Sequence, residues 1–239
     1  MSVLEKIQSV NEVNKSVKVL VYGEPGVGKT TFAASAPSPL FIDADRGVLS
    51  LIGRDGSASI KVLVPSSFDE LLDLVFELRA GKLPEVKTLV LDTITELQNR
   101  TMDENLKIAV EESKGRRNPY LPQLQDYGLN GQMLRRITIA LSELDRHLII
   151  LAHEKEDKDV DRLFLRPAVT PKLAETLVGM MDVIGYMTLE ADGSRKLQVQ
   201  PTRRVWAKSR LQLPASLTNP TFDLLIKTKE KVNGQAGVQ

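Results

Sequence analysis

The chain has 239 residues, of which 42% are hydrophobic and 26% charged, enough to bury a full core in one large domain. Thirty-two Lys and Arg balance 31 Asp and Glu to a net charge of +1, so any nucleic-acid surface must be a local patch. There are no cysteines, which excludes disulfides and thiolate zinc sites, and no apolar run approaches the roughly 18 residues that span a bilayer. The composition predicts a soluble, cytoplasmic protein with no membrane partner.

Residues 1–16 are polar with a weak apolar stripe (Val3, Leu4, Ile7, Val10) and read as an N-terminal arm, a candidate oligomer contact. Val17 to Tyr22 is β-branched and apolar and reads as a buried strand. It runs into Gly23-Glu24-Pro25-Gly26-Val27-Gly28-Lys29-Thr30, a complete G-x-x-x-x-G-K-[ST] phosphate loop, followed by Thr31 and a short helix that stops before Pro37. Strand, glycine-rich turn and helix form the context in which backbone N–H groups close around a β-phosphate at a helix N-terminus. Lys29 can reach the β- and γ-phosphates, and the Thr30 hydroxyl can ligate Mg²⁺. ATP and Mg²⁺ are therefore the expected cofactors, with residues 23–31 as the binding loop.

Pro39 to Asp45 reads as a short strand ending in two acids, and Ile60 to Val64 as another strand. A helix is predicted over Phe68–Ala80, and a strand over Lys87–Asp92, again ending in an acid. A helix from Thr95 runs toward Val110, and residues 111–125 break the pattern as an exposed loop. Gly131–Leu144 is predicted as a long helix, His147–Ala152 as a core strand, and His153–Arg166 as a charged loop. A helix starts at Thr170-Pro171 and runs to about Met180. Beyond it the chain alternates around Val199-Gln200 and Val205–Ala207, with Asp192-Gly193 as a hairpin turn. The domain is expected over 17–230, with a frayed tail at 231–239. Strands alternating with helices predict an α/β fold: a mostly parallel central sheet, helices on both faces, and antiparallel C-terminal edge strands.

In such a sheet, ligands sit beyond the carboxyl ends of the strands. Asp92 there has the form of a Walker B acid that holds Mg²⁺, or of a helix N-cap. The run Phe41-Ile42-Asp43-Ala44-Asp45-Arg46-Gly47 resembles the RecA-like recombinase strand that ends in a catalytic glutamate two residues after an aspartate. With Asp92-Thr93 and Leu148 to His153, the order of motifs is similar to that of a RecA-like core over about residues 17–226. The resemblance implies that Asp45 orients and deprotonates the attacking water and that His153 senses the γ-phosphate. Aspartate for glutamate, and histidine for the commoner glutamine, depart from the family pattern. Plain readings stand beside these roles, a loop carboxylate for Asp45 and a satisfied strand-end side chain for His153. Arg203 to Arg210 resembles the late strand whose paired cations, here Lys208 and Arg210, reach a neighbouring subunit's γ-phosphate; a solvated edge strand fits the same residues.

RecA-like proteins hold DNA with two loops, whose positions here are 111–125 and 154–168. The first carries Lys114, Arg116, Arg117 and Tyr120, cations interleaved with an aromatic that can stack on a base. The second, with five acids and three bases over 154–162, has the wrong balance for gripping phosphates. Both also fit a solvated charge run. The runs Gly23 to Ala33 and Leu151-Ala152-His153-Glu154 resemble those of small, core-only, phage-encoded proteins of this fold, which are similar to single-strand annealing recombinases. That likeness implies a DNA-dependent ATPase in a bacterial host, partnered by single-stranded DNA, by copies of itself in a ring or filament, and by a single-strand-binding protein. The alternatives are a nucleotide-gated DNA-binding or loader protein with little turnover, and a helicase-type motor.

Overall fold

In the computed structural model, residues 16–159 and 162–227 are described, with residues 5, 7 and 9 of the N-terminal arm. The expected tail at 231–239, and most of the expected arm at 1–16, lie outside the described residues.

Six strands form the parallel part of a ten-stranded sheet: β1 (Lys18–Gly23), β2 (Pro39–Asp43), β3 (Lys61–Leu63), β4 (Thr88–Asp92), β5 (His147–Asp159) and β7 (Val183–Leu189). Their order across the sheet is β7-β1-β5-β4-β2-β3. The phosphate-loop strand β1 is thus central, in register with β5 from Lys18↔Leu148 to Gly23↔His153. β4 lies between β5 and β2, and Asp92 sits directly beside Asp43. β8 (Arg195–Gln198), β9 (Lys208–Ser209) and β10 (Ser216–Thr218) add antiparallel pairing beyond β7, as predicted. Gly193, at a positive φ of 81°, turns the chain from β7 into β8, at the Asp192-Gly193 pair predicted as a hairpin turn. The fold is that of a RecA-like P-loop NTPase.

Both faces of the sheet are covered because strand residues alternate between two apolar clusters. Leu20, Leu40, Leu89, Leu148 and Ile150 pack under α2 (Phe68–Arg79), α3 (Ile94–Glu112), α4 (Leu124–Ser142) and α5 (Pro171–Met180). Val19, Val21, Phe41, Val90 and Ile149 face α1 (Lys29–Ala34) and Phe222 and Leu225 of a helical turn at 222–227. Ser67 caps α2 by accepting the Glu70 N–H, and Pro171 occupies the first turn of α5.

Two elements differ from the sequence reading. The expected charged loop after His153 is instead a β-hairpin: β5 continues to Asp159 and pairs with β6 (Arg162–Pro167), from Glu154↔Pro167 to Asp159↔Arg162. Its ladder is braced by Arg166, whose Nε donates to Asp157 at 2.6 Å, and by Phe164 stacked on Trp206 at 5.7 Å. α4 begins at Leu124 rather than Gly131, because Gln123 and Asp126 form a capping box that starts the helix seven residues earlier.

Candidate nucleotide-binding site

Gly23 ends β1 where the backbone of β7 comes so close that a Cβ would collide with the Met187 carbonyl. Gly28, with φ of 100°, caps α1 in a left-handed conformation open to glycine at little cost. The chain is thereby turned so that residues 24–28 curl over the N-terminus of α1. Lys29 is 6% exposed, and its Nζ donates to the carbonyls of Gly23 at 2.9 Å and Glu24 at 2.8 Å. Burial lowers its pKa, opposed by Asp92 and Asp45.

Facing the loop, three carboxylates from adjacent strand ends converge: Asp43, Asp45 and Asp92 each offer an oxygen within 4.8 Å of the others. Asp43 is fully buried and accepts the Gly47 N–H at 3.0 Å. Asp45 accepts the same N–H at 2.9 Å, because Arg46 adopts a left-handed φ of 63° and turns Gly47 back toward both. Asp92, 1% exposed, accepts from the Thr30 hydroxyl at 2.8 Å. Burial pushes the Asp92 pKa up to about 7, with Asp45 and Asp43 adding and the Thr30 bond and Lys29 opposing. Burial also raises Asp43.

The helix-cap alternative for Asp92 is answered here: Thr93 caps α3, accepting the Glu96 N–H at 3.2 Å, and leaves the Asp92 carboxylate to the site. A Cβ on Gly47 would lie 2.9 Å from Asp45 and 3.0 Å from Asp92, so the missing side chain keeps space open between hydroxyl and carboxylates. This donor set, all hard oxygen, suits Mg²⁺ bound largely through its waters and a substrate phosphate.

His153 closes the far side. Its N–H donates to the Thr95 hydroxyl at 3.0 Å, and its Nε2 stands 3.7 Å from an Asp45 oxygen. Its Nδ1 is buried with no hydrogen-bond partner. Burial, helped by Lys29, lowers its pKa, so at neutral pH the ring is uncharged. A cavity of about 260 Å³ lies between these groups, and Arg54 and Arg195 line it as well. Arg54 donates to Thr31 at 3.2 Å. Neither arginine stands out in the sequence, since no local motif surrounds it and each is brought in by chain distant from the loop, whereas Gly47 closes the run Phe41–Gly47 that carries the acid pair.

The remaining expected residues lie elsewhere. Lys208 pairs with Ile184 near the start of β7, at the end of the sheet away from this chain's phosphate loop. Its Nζ donates to the Val178 carbonyl at 2.5 Å, while Arg210 donates to Gly179 at 2.8 Å and pairs with Asp182 at 3.4 Å. In the loop between α3 and α4, Lys114, Arg116 and Tyr120 face solvent, Tyr120 being 86% exposed. Arg117 is instead committed to Asp126 at the start of α4, half of a largely buried ion pair.

A family model described as an AAA domain matches residues 15–211, taking in the phosphate loop, all three carboxylates, His153 and the Lys208–Arg210 segment. The chain belongs to the AAA domain family. A search of curated proteins finds no match. This AAA domain is an ATP-binding P-loop unit of the ATP-hydrolysing kind. Among the described residues, no helix is long and apolar enough to cross a membrane.

Proposed function

We propose that this AAA-domain chain is a Mg²⁺-dependent, RecA-like ATPase that binds single-stranded DNA and promotes annealing or strand exchange. The observation that carries the reading is the convergence at one end of the sheet. The phosphate loop, the three carboxylates and His153 lie there, and the β5–β6 hairpin rises from the same strand ends. The loop carrying Lys114, Arg116 and Tyr120 connects α3, which starts at the end of β4, to α4. α4 ends just before β5 begins, so its first residue, about 28 Å away along the helix, lies on the side of the strand carboxyl ends. Cations beside an exposed aromatic suit the backbone and bases of a single strand.

In this reading Lys29 and the N–H groups of residues 26–31 hold the β- and γ-phosphates, and Thr30 with Asp92 holds Mg²⁺. The metal supplies neutralisation of phosphate charge when bound. Asp45 accepts the proton of the attacking water. Neutral His153, on the strand that continues into the hairpin, registers the γ-phosphate. Lys208 and Arg210, remote from their own loop, act on ATP held by a neighbouring copy.

ATP hydrolysis measured with and without single-stranded DNA tests the whole. We expect stimulation by DNA, and a loss of roughly 100-fold in Asp45→Asn if its carboxylate is the base. Turnover that ignores DNA would sink the DNA-dependent reading. ATP binding without turnover would favour a nucleotide-gated loader, the second reading, which the short reach of Asp45 supports.

Arg210→Ala separates the subunit-bridging role from a local one. Turnover should fall about tenfold or more while ATP affinity changes less than twofold. Hydrolysis indifferent to both this substitution and protein concentration would remove the paired cations from the mechanism.

A further inference from the structure

The β7–β8 hairpin carries a cation that reaches the nucleotide cavity from above. Strand β7 runs past the end of β1: Tyr22 pairs with Tyr186, and three further residues of β7 lead to the turn at Gly193. The returning strand opens with Arg195, so its side chain starts above the phosphate loop rather than beside it. Arg195 lines the same cavity as Lys29, Thr30, Asp45, Asp92 and His153. Its side chain lies against Gly28 so closely that a Cβ on that glycine would collide with Nε and stand 2.6 Å from Cδ.

Two facts point to a ligand. The Nε is buried with no hydrogen-bond partner, although a buried guanidinium N–H left unpaired is costly. Among the described residues, no carboxylate pairs with Arg195, while Arg117, Arg166 and Arg210 each have one. The backbone beneath it is held from both sides by one residue. The Arg195 N–H donates to the Asn219 side-chain oxygen at 3.0 Å, and the Arg195 carbonyl accepts the Asn219 N–H at 2.6 Å. The residue is therefore anchored through its backbone, while its buried Nε is left unpartnered in a side chain that lines the cavity beside Lys29 and Thr30.

We propose that Arg195 contacts the phosphate chain of the bound nucleotide and is supplied by the same chain that carries the phosphate loop, unlike Lys208 and Arg210. The proposal rests on residues 23–31 being the nucleotide site and adds a cation that the loop motif does not contain. A planar guanidinium at this point can donate two parallel N–H bonds to phosphate oxygens, which the single Lys29 ammonium cannot. It also ties the β7–β8 hairpin, and through Asn219 the start of the final segment, to whether nucleotide is present.

The test is equilibrium binding of fluorescent ATP and ADP analogues to the full chain and to Arg195→Ala, Arg195→Gln and Arg195→Lys. Affinity for the ATP analogue should fall roughly 10- to 100-fold in the alanine and glutamine variants and recover in part with lysine. The melting temperature without nucleotide should stay near that of the wild type. Wild-type binding matched within twofold by the alanine and glutamine variants would overturn the proposal while leaving the site standing. Unfolding of both variants would overturn it as well, by making the guanidinium a structural group. Absence of binding by the wild type would instead refute the nucleotide site itself.

Discussion

Lys29→Ala is expected to erase the rise in melting temperature that Mg²⁺ and ATP give the wild-type chain, and to leave no measurable hydrolysis. At a ligand concentration about 100 times the Kd, binding stabilises the native state by roughly 2.7 kcal/mol, some 5–10 °C for a domain of this size. Without the ammonium, a phosphate chain carrying several negative charges meets Asp92, Asp45 and Asp43 with no intervening cation from α1. In the free protein Lys29 holds the Gly23 and Glu24 carbonyls, so nucleotide must win it from the loop's own backbone. The alanine variant loses those bonds too, and its own melting temperature without ligand should drop modestly. A thermal shift with ATP equal to that of the wild type would show that the loop is not the binding site.

Asp92→Asn carries the second large effect, and it has two opposite signs. Hydrolysis should fall on the order of 100-fold or more as Mg²⁺ loses an anionic support. The free protein should become more stable at pH 8. Native Asp92 titrates near 7, against about 3.8 in the unfolded chain, because burial disfavours its charge. A group whose pKa is raised on folding contributes its stability at low pH and loses it as pH climbs from about 4 to about 7. A tenfold difference in acidity between the folded and unfolded chain corresponds to roughly 1.4 kcal/mol, so the ionised carboxylate costs the free fold up to a few kcal/mol above pH 7. Asparagine keeps a similar shape without the charge. Melting curves should show a gain of several degrees at pH 8 and almost none at pH 4, where Asp92 is already protonated. Equal gains at both pH values would mean that charge is not the cause.

How much of this is readable in the sequence follows from where each signal lies. The phosphate loop occupies eight consecutive residues between an apolar strand and a short helix, so motif and context coincide. Asp45 and Asp92 follow short apolar runs that could only be buried strands, and the parallel order brings their ends together. The hairpin beyond His153 has no such signal. Glu154 to Asp159 are all charged, and they form a strand only because β6 pairs with them through the backbone. The start of α4 is hidden by Gly128 and Gly131 and by the exposed Leu124, Tyr127 and Leu129, which blur the helical period. Arg195 is invisible for a different reason. Its proximity to Gly28 depends on β7 outrunning β1 by two residues, a quantity fixed by strand register rather than by neighbours in sequence.

The continuity of β5 sets a scale for movement. From His153 to Asp159 the strand is unbroken, six residues or about 20 Å at the usual rise per residue. A rotation of about 5° at the His153 peptide would sweep the outer end of such a rod through nearly 2 Å, while His153 itself shifted by a small fraction of that. In the proposed reading, a change of less than an atomic radius in the distance between Asp45 and His153 would be amplified at the outermost rung of the ladder.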